Sequence, residues 1–181
     1  AIEGVEIEYV GEVSELNVAP LTSAIIAGLL RPLLSDVNMV SAPAMAKERG
    51  ISVSEVKRDS KGAFDSYIRL SLKTERQQRS VAGTVFSDGK PRIIQVKGIN
   101  INAELAPRVL YITNTDAPGF IGSLGTVLGA HGINIASFQL GREKPGGDAV
   151  SLVNIDNEAS KDVLKEIEEL KQVMQVKQLF F

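Results

Sequence analysis

The sequence predicts an α+β protein of two domains, on three observations. Alternation of apolar and polar residues with period two dominates the chain and is interrupted by four short helical runs. The second part of the chain orders its elements βαββαβ, a split pattern that closes one small sheet under two helices. The length, 181 residues, leaves room for one or two domains with a real core but not for a large catalytic barrel. At 44% hydrophobic and 23% charged, the composition is that of a globular chain rather than a disordered or fibrous one.

Val5, Ile7 and Tyr9 alternate with Glu6 and Glu8, so a strand begins almost at once. The chain is therefore expected to be a fragment of something longer. Pro20 suits a first helical turn, where a missing N–H costs nothing. Leu21, Ala24, Ile25, Gly28 and Leu29 follow at helical spacing until Arg31 and Pro32. A shorter helix runs from Pro43, capped near Ser41 or Ala42, through Ala46 to Gly50. Period two then returns: Ile68, Leu70 and Leu72 alternate with Tyr67, Arg69, Ser71 and Lys73. Val81 to Phe86 and Pro91 to Lys97 flank Ser87-Asp88-Gly89-Lys90, and Asp88-Gly89 predicts a two-residue type I′ turn. Ile99, Ile101 and Leu105 carry the alternation on. Residues 1–106 are thus expected to pack helices on an antiparallel sheet.

Ala106-Pro107 is the expected seam, because proline biases its neighbour away from helix and a new pattern starts behind it. In 107–181, Val109 to Thr113 is a strand, and Asp116-Ala117-Pro118-Gly119 turns into a helix carrying Ile121, Leu124 and Leu128 that stops at Gly132. Strands Ile133 to Leu140 and Ala149 to Ile155 are joined by the turn residues Lys144-Pro145-Gly146-Gly147. Ser160 caps a helix with Val163, Ile167 and Leu170 on one face, and Val173 to Phe180 closes with a strand. The arrangement is ferredoxin-like.

Twenty Lys and Arg against 22 Asp and Glu remove the electrostatic footprint of nucleic-acid binding. The absence of cysteine excludes disulfides, thiolate nucleophiles and Cys-based zinc sites, and suits a reducing compartment, so the cytoplasm is expected. The longest apolar run, Leu21 to Leu30, falls short of the roughly 20 residues a bilayer demands, so no membrane partner is expected. The single histidine, His131, sits near a helix end and reads as a structural cation at the negative end of the dipole. One His without Cys supplies neither a nucleophilic triad nor a zinc site. Glu6 and Glu8, and Glu166, Glu168 and Glu169, read as solvated faces. No catalytic residue and no metal site is expected.

Gly119, Gly122, Gly125 and Gly129 do not have the G-x-G-x-x-G spacing of a dinucleotide cradle. Each glycine inside a helix costs roughly 1 kcal/mol relative to alanine. So many in one helix call for close approach by a neighbouring strand, a partner subunit or a ligand. The turn from Asp116 to Gly119 leaves backbone N–H groups at a helix N-terminus, which attract a carboxylate. Asn114 and Asp116, at the end of the preceding strand, offer a place for an ammonium group. A zwitterionic amino acid has both ends. Asn134 adds amide donors and an acceptor. Singly, Asn114 and Asp116 are also ordinary capping groups, and Asn134 an ordinary turn residue. Lys57, Arg58, Lys61, Arg69, Lys73, Arg76 and Arg79 outnumber Asp59, Asp65 and Glu75 over one stretch, which reads as a solvated face, with an anion site as the alternative.

Val109 to Phe181, with Asn114-Thr115-Asp116-Ala117-Pro118-Gly119 before its first helix and Gly132-Ile133-Asn134-Ile135 after it, resembles an ACT domain, the small-molecule sensor fused to enzymes of amino-acid metabolism. The segment Val37-Asn38-Met39-Val40-Ser41-Ala42-Pro43-Ala44-Met45-Ala46-Lys47-Glu48-Arg49-Gly50 resembles the allosteric substrate-binding (intervening) domain that precedes ACT in long forms of D-3-phosphoglycerate dehydrogenase. Together the two likenesses cover nearly the whole chain.

The resemblance implies a parent enzyme that oxidises 3-phosphoglycerate with NAD at the first committed step of serine synthesis. The catalytic domains would precede this chain, which holds no cofactor itself. It also implies L-serine bound at ACT–ACT interfaces and self-association through ACT edge strands. Carried over by position, the serine contacts fall on Asn114, Asp116 and Asn134, with the helix N-terminus at Gly119, Phe120 and Ile121 beside them. For an anion site in the intervening domain, Arg92 stands for one basic member, while Ile99, Glu104 and Asn154 occupy places where a cation is expected. The β chain of bacterial iron–sulfur L-serine dehydratase joins similar domains, but its Ser-Ser-Ser-His-Thr stretch is absent here. A third reading is an oligomerisation module that binds nothing.

Overall fold

Val5, Ile7 and Tyr9 share one side of the first strand, and that side becomes a core, as alternation requires. The computed structural model describes residues 1–60 and 62–181; Lys61, one of the basic residues above, lies outside the described residues. The chain packs as two units, Ala1–Thr84 and Val85–Phe181.

The first unit holds β1 (Ile2–Gly11), a 3₁₀ turn at Glu12–Glu15, α1 (Ala19–Leu30), α2 (Ala42–Glu48), β2 (Ser52–Arg58), β3 (Ser66–Thr74) and β4 (Gln78–Val85). Its strands lie in the order β2-β1-β3-β4. Ile26, Ala27 and Leu30 of α1 and Ala42 and Ala46 of α2 close over β1, with Ile68, Leu70 and Leu72 of β3 at the margin of the core. The sheet is antiparallel except at its β2 edge, which runs parallel to β1 with Gly4 opposite Ser52 and Val10 opposite Arg58. The sequence reading does not resolve β2. It is exposed along almost its whole length, so it has no buried face to impose a period.

The second unit begins with a turn that differs from expectation. Among the described residues, positive φ near Asp88-Gly89 is confined to Gly89, at +78°. The N–H of Gly89 bonds the Phe86 carbonyl, and the N–H of Phe86 bonds the Lys90 carbonyl. This is a longer loop closed by one left-handed glycine, not a type I′ turn, which needs two positive φ values. That requirement is met one turn later, at Lys97 (+53°) and Gly98 (+79°), between β5 (Pro91–Val96) and β6 (Ile99–Glu104).

The remaining elements are β7 (Arg108–Thr115), α3 (Phe120–Ala130), β8 (Ile135–Arg142), β9 (Asp148–Ile155), α4 (Lys161–Glu168) and β10 (Val173–Phe180). Their sheet has the order β10-β7-β9-β8 with every pair antiparallel, which is the ferredoxin-like βαββαβ arrangement. Leu110, Ile112 and Val153 meet Phe120, Leu124 and Leu128 of α3 and Val163 and Ile167 of α4. Ile121 does not take the core place expected of it: it is 59% exposed, and Phe120, one residue earlier, completes the i, i+4, i+8 face with Leu124 and Leu128. Ser160 caps α4 as expected, accepting the Val163 N–H.

The other face of this sheet is covered by the β5–β6 hairpin. Ile99, Ile101 and Ala103 pack on Val109, Val150 and Leu152. Ala149 to Val153 is therefore buried without interruption, and its sequence accordingly lacks a clean alternation. The approach of β6 to β8 is close enough that a Cβ on Gly141 would lie 2.1 Å from the Asn100 carbonyl oxygen. Because the hairpin belongs to the surface it covers, packing divides at Thr84 and Val85, a different quantity from the domain seam expected at Ala106-Pro107.

Candidate functional site

Asn114, Asp116 and the N-terminus of α3 lie at one end of the ACT-like sheet. Asn114 faces Ala149 of β9, which in turn faces Arg142 of β8, so three strand ends meet there. The side chain of Asn114 is buried, at 0% exposure. Its Nδ2 donates to the Thr115 carbonyl at 3.1 Å, and its Oδ1 accepts from the Ser151 hydroxyl at 3.1 Å. Such an interior amide is stable because both of its ends are paired.

Asp116 is placed for binding but is not bare. Its Oδ2 accepts from Arg142 Nη1 at 2.8 Å and from the Gly146 N–H at 3.2 Å. The Arg142 hydrogen bond, and then the Gly146 N–H, hold its carboxyl below the usual value. The N–H of Asp116 bonds the Gly147 carbonyl, so the Lys144-Pro145-Gly146-Gly147 loop is tied to the strand end. Gly119 follows with φ +91° and turns the chain into α3; Phe120 is buried and Ile121 exposed. Ser123 N–H bonds the Gly119 carbonyl as the first helical bond, and of the earlier N–H groups at the helix mouth that of Phe120 bonds the Ala117 carbonyl at 3.4 Å.

Asn134 is not brought to this end. It precedes β8, which runs in the same direction as β7, so within one copy it sits a strand length away, about 25 Å. There its Nδ2 donates to Asp156 Oδ2 at 2.8 Å. The residues expected to form one constellation therefore fall into two halves on one copy of the chain. Gly122, Gly125 and Gly129 line α3 with nothing within 4 Å of the Cβ each lacks, so no strand among the described residues accounts for them. His131 ends α3 with its Nε2 2.9 Å from Glu166 Oε1, linking it to α4.

Arg92 lies elsewhere in the second unit, on β5 opposite Glu104 of β6. Its guanidinium covers the Phe86 ring at 4.8 Å, and its Nη2 lies 3.0 Å from Asp88 and 3.7 Å from Glu104. It lines a cavity of about 600 Å³ together with Glu104 and Asn154. Ile99, by contrast, is buried under the sheet. In the first unit, Arg58 and Arg69 of the basic stretch pair with Glu8 at 3.2 and 3.5 Å, and Glu8, expected on a solvated face, is instead buried, its charge met by these two cations.

Sequence reasoning missed Arg142, Ser151, Asp156 and Phe86. Arg142 alone left a signal, a cation beside the Pro-Gly-Gly loop, but nothing local ties it to an acid 26 residues away. Among the described residues, no group of three or more His, Cys, Asp or Glu could hold a metal ion, and no helix is long and apolar enough to cross a membrane.

Residues 1–97 match the family model of the D-3-phosphoglycerate dehydrogenase intervening domain, and residues 108–172 match that of the ACT domain. The chain is 33% identical to D-3-phosphoglycerate dehydrogenase of Bacillus subtilis over 177 residues, covering 97% of this chain and 34% of that protein. The Methanocaldococcus jannaschii enzyme of the same name is also 33% identical, over 97% of this chain and 33% of its own length. That of Synechocystis is 36% identical over 87% of this chain and 29% of its own length. The chain thus spans about a third of the curated relatives it matches. With more than half its residues in the one model and most of the rest in the other, it belongs to the D-3-phosphoglycerate dehydrogenase intervening-domain family and carries the intervening and ACT domains, the regulatory region of such enzymes.

Proposed function

We propose that the chain senses L-serine for a D-3-phosphoglycerate dehydrogenase, an NAD-dependent cytoplasmic enzyme of serine synthesis whose catalytic domains act on 3-phosphoglycerate, and that it holds copies of that enzyme together. Residues 1–106 act as the intervening domain and 107–181 as the ACT domain. The observation that carries the reading is the split constellation. Asp116 and the α3 N-terminus stand at one end of the ACT sheet and Asn134 at the other, so a two-fold related copy, paired through ACT edge strands, is what brings Asn134 to Asp116. The open glycines of α3 support the same interface, since a partner helix or ligand there offsets their cost.

In this site the effector's carboxylate meets the N–H groups at Gly119, Phe120 and Ile121. Its ammonium takes Asp116 Oδ1, beside the oxygen that Arg142 holds. Asn134 of the second copy bonds the remaining polar atoms, and Asn114 joins by exchanging its Ser151 bond for one to the ligand. Binding one arrangement of the copies more tightly shifts the whole assembly, by typically 1–3 kcal/mol. Arg92 is an anion contact of a second site. NAD does not fit here: β7 and its neighbours are antiparallel, whereas a dinucleotide cradle needs a parallel βαβ crossover. The dehydratase reading is not favoured, because the relatives above are dehydrogenases.

Calorimetry with L-serine, read alongside sedimentation, tests the proposal. A charged hydrogen bond of about 1.5–3 kcal/mol makes Asp116→Ala weaken binding roughly ten- to a hundredfold, and Asn134→Ala less. Unchanged serine affinity in a folded Asp116→Ala sinks the site. A chain that self-associates but binds no serine leaves the purely structural module in its place.

A further inference from the structure

The cavity around Arg92 carries groups that the effector reading does not use. Its walls include Phe86, Asn102, Glu104, Gln139 and Asn154, and its volume, about 600 Å³, lies within the range of small-molecule sites. Arg92 is held flat against Phe86 and is only 13% exposed, whereas the Glu104 carboxylate is 45% exposed and faces it across the hairpin. Glu104 is also paired to Lys90 at 3.2 Å, and Arg92 to Asp88 at 3.0 Å. Asn154, reaching from β9, donates to the Glu104 carbonyl at 3.3 Å and fixes the strand end that presents the carboxylate.

These four charges cancel. A phosphate dianion entering beside Arg92 finds two carboxylates already there and no net positive charge to meet it. A ligand with one charge of each sign meets a different situation. Of the three ion pairs in the cluster, Arg92 to Glu104 is the longest, at 3.7 Å, beyond hydrogen-bond length. Splitting it for a carboxylate on Arg92 and an ammonium on Glu104 exchanges one ion pair for two and leaves the local charge unchanged. Asn102, Asn154 and Gln139 line the room beyond these two ends with amide donors and acceptors.

We infer that this cavity binds a free α-amino acid with a polar side chain, its carboxylate on Arg92 and its ammonium on Glu104, and that it discriminates against phosphorylated anions. The inference rests on Arg92 as the anion contact of a second site and is independent of the serine site at Asp116.

Calorimetry of the whole chain with L-glutamine and with inorganic phosphate tests it. The wild type should bind L-glutamine and prefer it to phosphate. Glu104→Gln, which keeps the shape and removes one negative charge, should weaken glutamine at least about tenfold and strengthen phosphate. Asp116→Ala should leave glutamine binding unchanged. Phosphate bound more tightly than glutamine by the wild type, no glutamine binding at all, or a Glu104→Gln chain with unaltered preference overturns the inference. Serine binding lost in Asp116→Ala while glutamine binding persists keeps the two sites apart, and failure of serine to bind bears on the effector reading alone.

Discussion

The sheets of the two units are covered to different depths. In the first unit, α1 and α2 close over one face of β1 and β3, and the strands keep polar side chains such as Glu6, Arg69 and Lys73 on the other, where Glu8 alone is buried by its pairing with Arg58 and Arg69. In the second, helices cover one face of the ACT-like sheet and the β5–β6 hairpin the other, so the middle of β9 is buried throughout. Half-covered strands keep a readable alternation. Strands covered twice lose it, and on the neighbouring β8 the hairpin comes so close that Gly141 becomes necessary.

The sharpest way to break the difference is to put a side chain on β8 where the β5–β6 hairpin approaches it. Gly141→Ala drives a methyl group into the Asn100 carbonyl and should cost about 3 kcal/mol, measured by urea unfolding. Gly125→Ala on α3 is the control. Within one copy its Cβ meets nothing within 4 Å, so the dissociated chain should gain about 0.5–1 kcal/mol, a gain that the associated form should lose. A loss there instead places another molecule against α3, while a tolerated Gly141→Ala breaks the account of the second face.

A smaller effect tests the first unit. Tyr9 donates to Thr22 Oγ1 at 2.5 Å, and Thr22 donates to Glu55 at 2.6 Å. Burial, with Glu55 adding and the Thr22 bond opposing, raises the phenol above its ordinary 10.0. A folded pKa raised in this way gives stability that is complete below the unfolded value and lost as pH rises through the folded one. Alkaline unfolding curves should therefore fall from about pH 10 upward in the wild type and stay flatter in Tyr9→Phe. That variant should also lose about 1 kcal/mol at neutral pH. Parallel curves for the two chains would remove Tyr9 as the alkaline group.

The smallest effect is in acid. The depressed pKa of Asp116 gives stability that is present above its ordinary 3.8 and lost as pH falls through the folded value. Arg142→Met removes the first cause of the depression. Wild type and variant should differ slightly near neutrality and converge below pH 3.8. A difference that persists in strong acid would assign the Arg142 contribution to packing instead.

Most of the second unit's elements were legible because their signals are local. Ser160 precedes a helix whose apolar residues recur every three or four, and Val173 to Phe180 keeps a strand pattern to its last residue. The site was half legible. Asp116 and the turn at Gly119 announce a helix entrance, but Asn114 reads as a strand-end group offered to an ammonium or to a cap and is interior, engaged with Ser151 from another strand. Arg142 was illegible for the same reason: its partner is set by strand register across β7, β9 and β8, and no spacing in the chain encodes that.

The sequence by itself determined which stretches are helix and, β2 apart, which are strand, together with the βαββαβ order and the resemblance to the family. Those depend on periodicity, capping and φ preference, which act within a few residues. Tertiary structure decided that β2 runs parallel at an edge, that the β5–β6 hairpin serves the second unit's sheet, that the type I′ turn lies at Lys97-Gly98, and that Asp116 meets Arg142 and Arg92 meets Glu104. These follow from which faces must be buried against each other and which charges register then brings within reach, and that competition is settled only once the whole chain has packed.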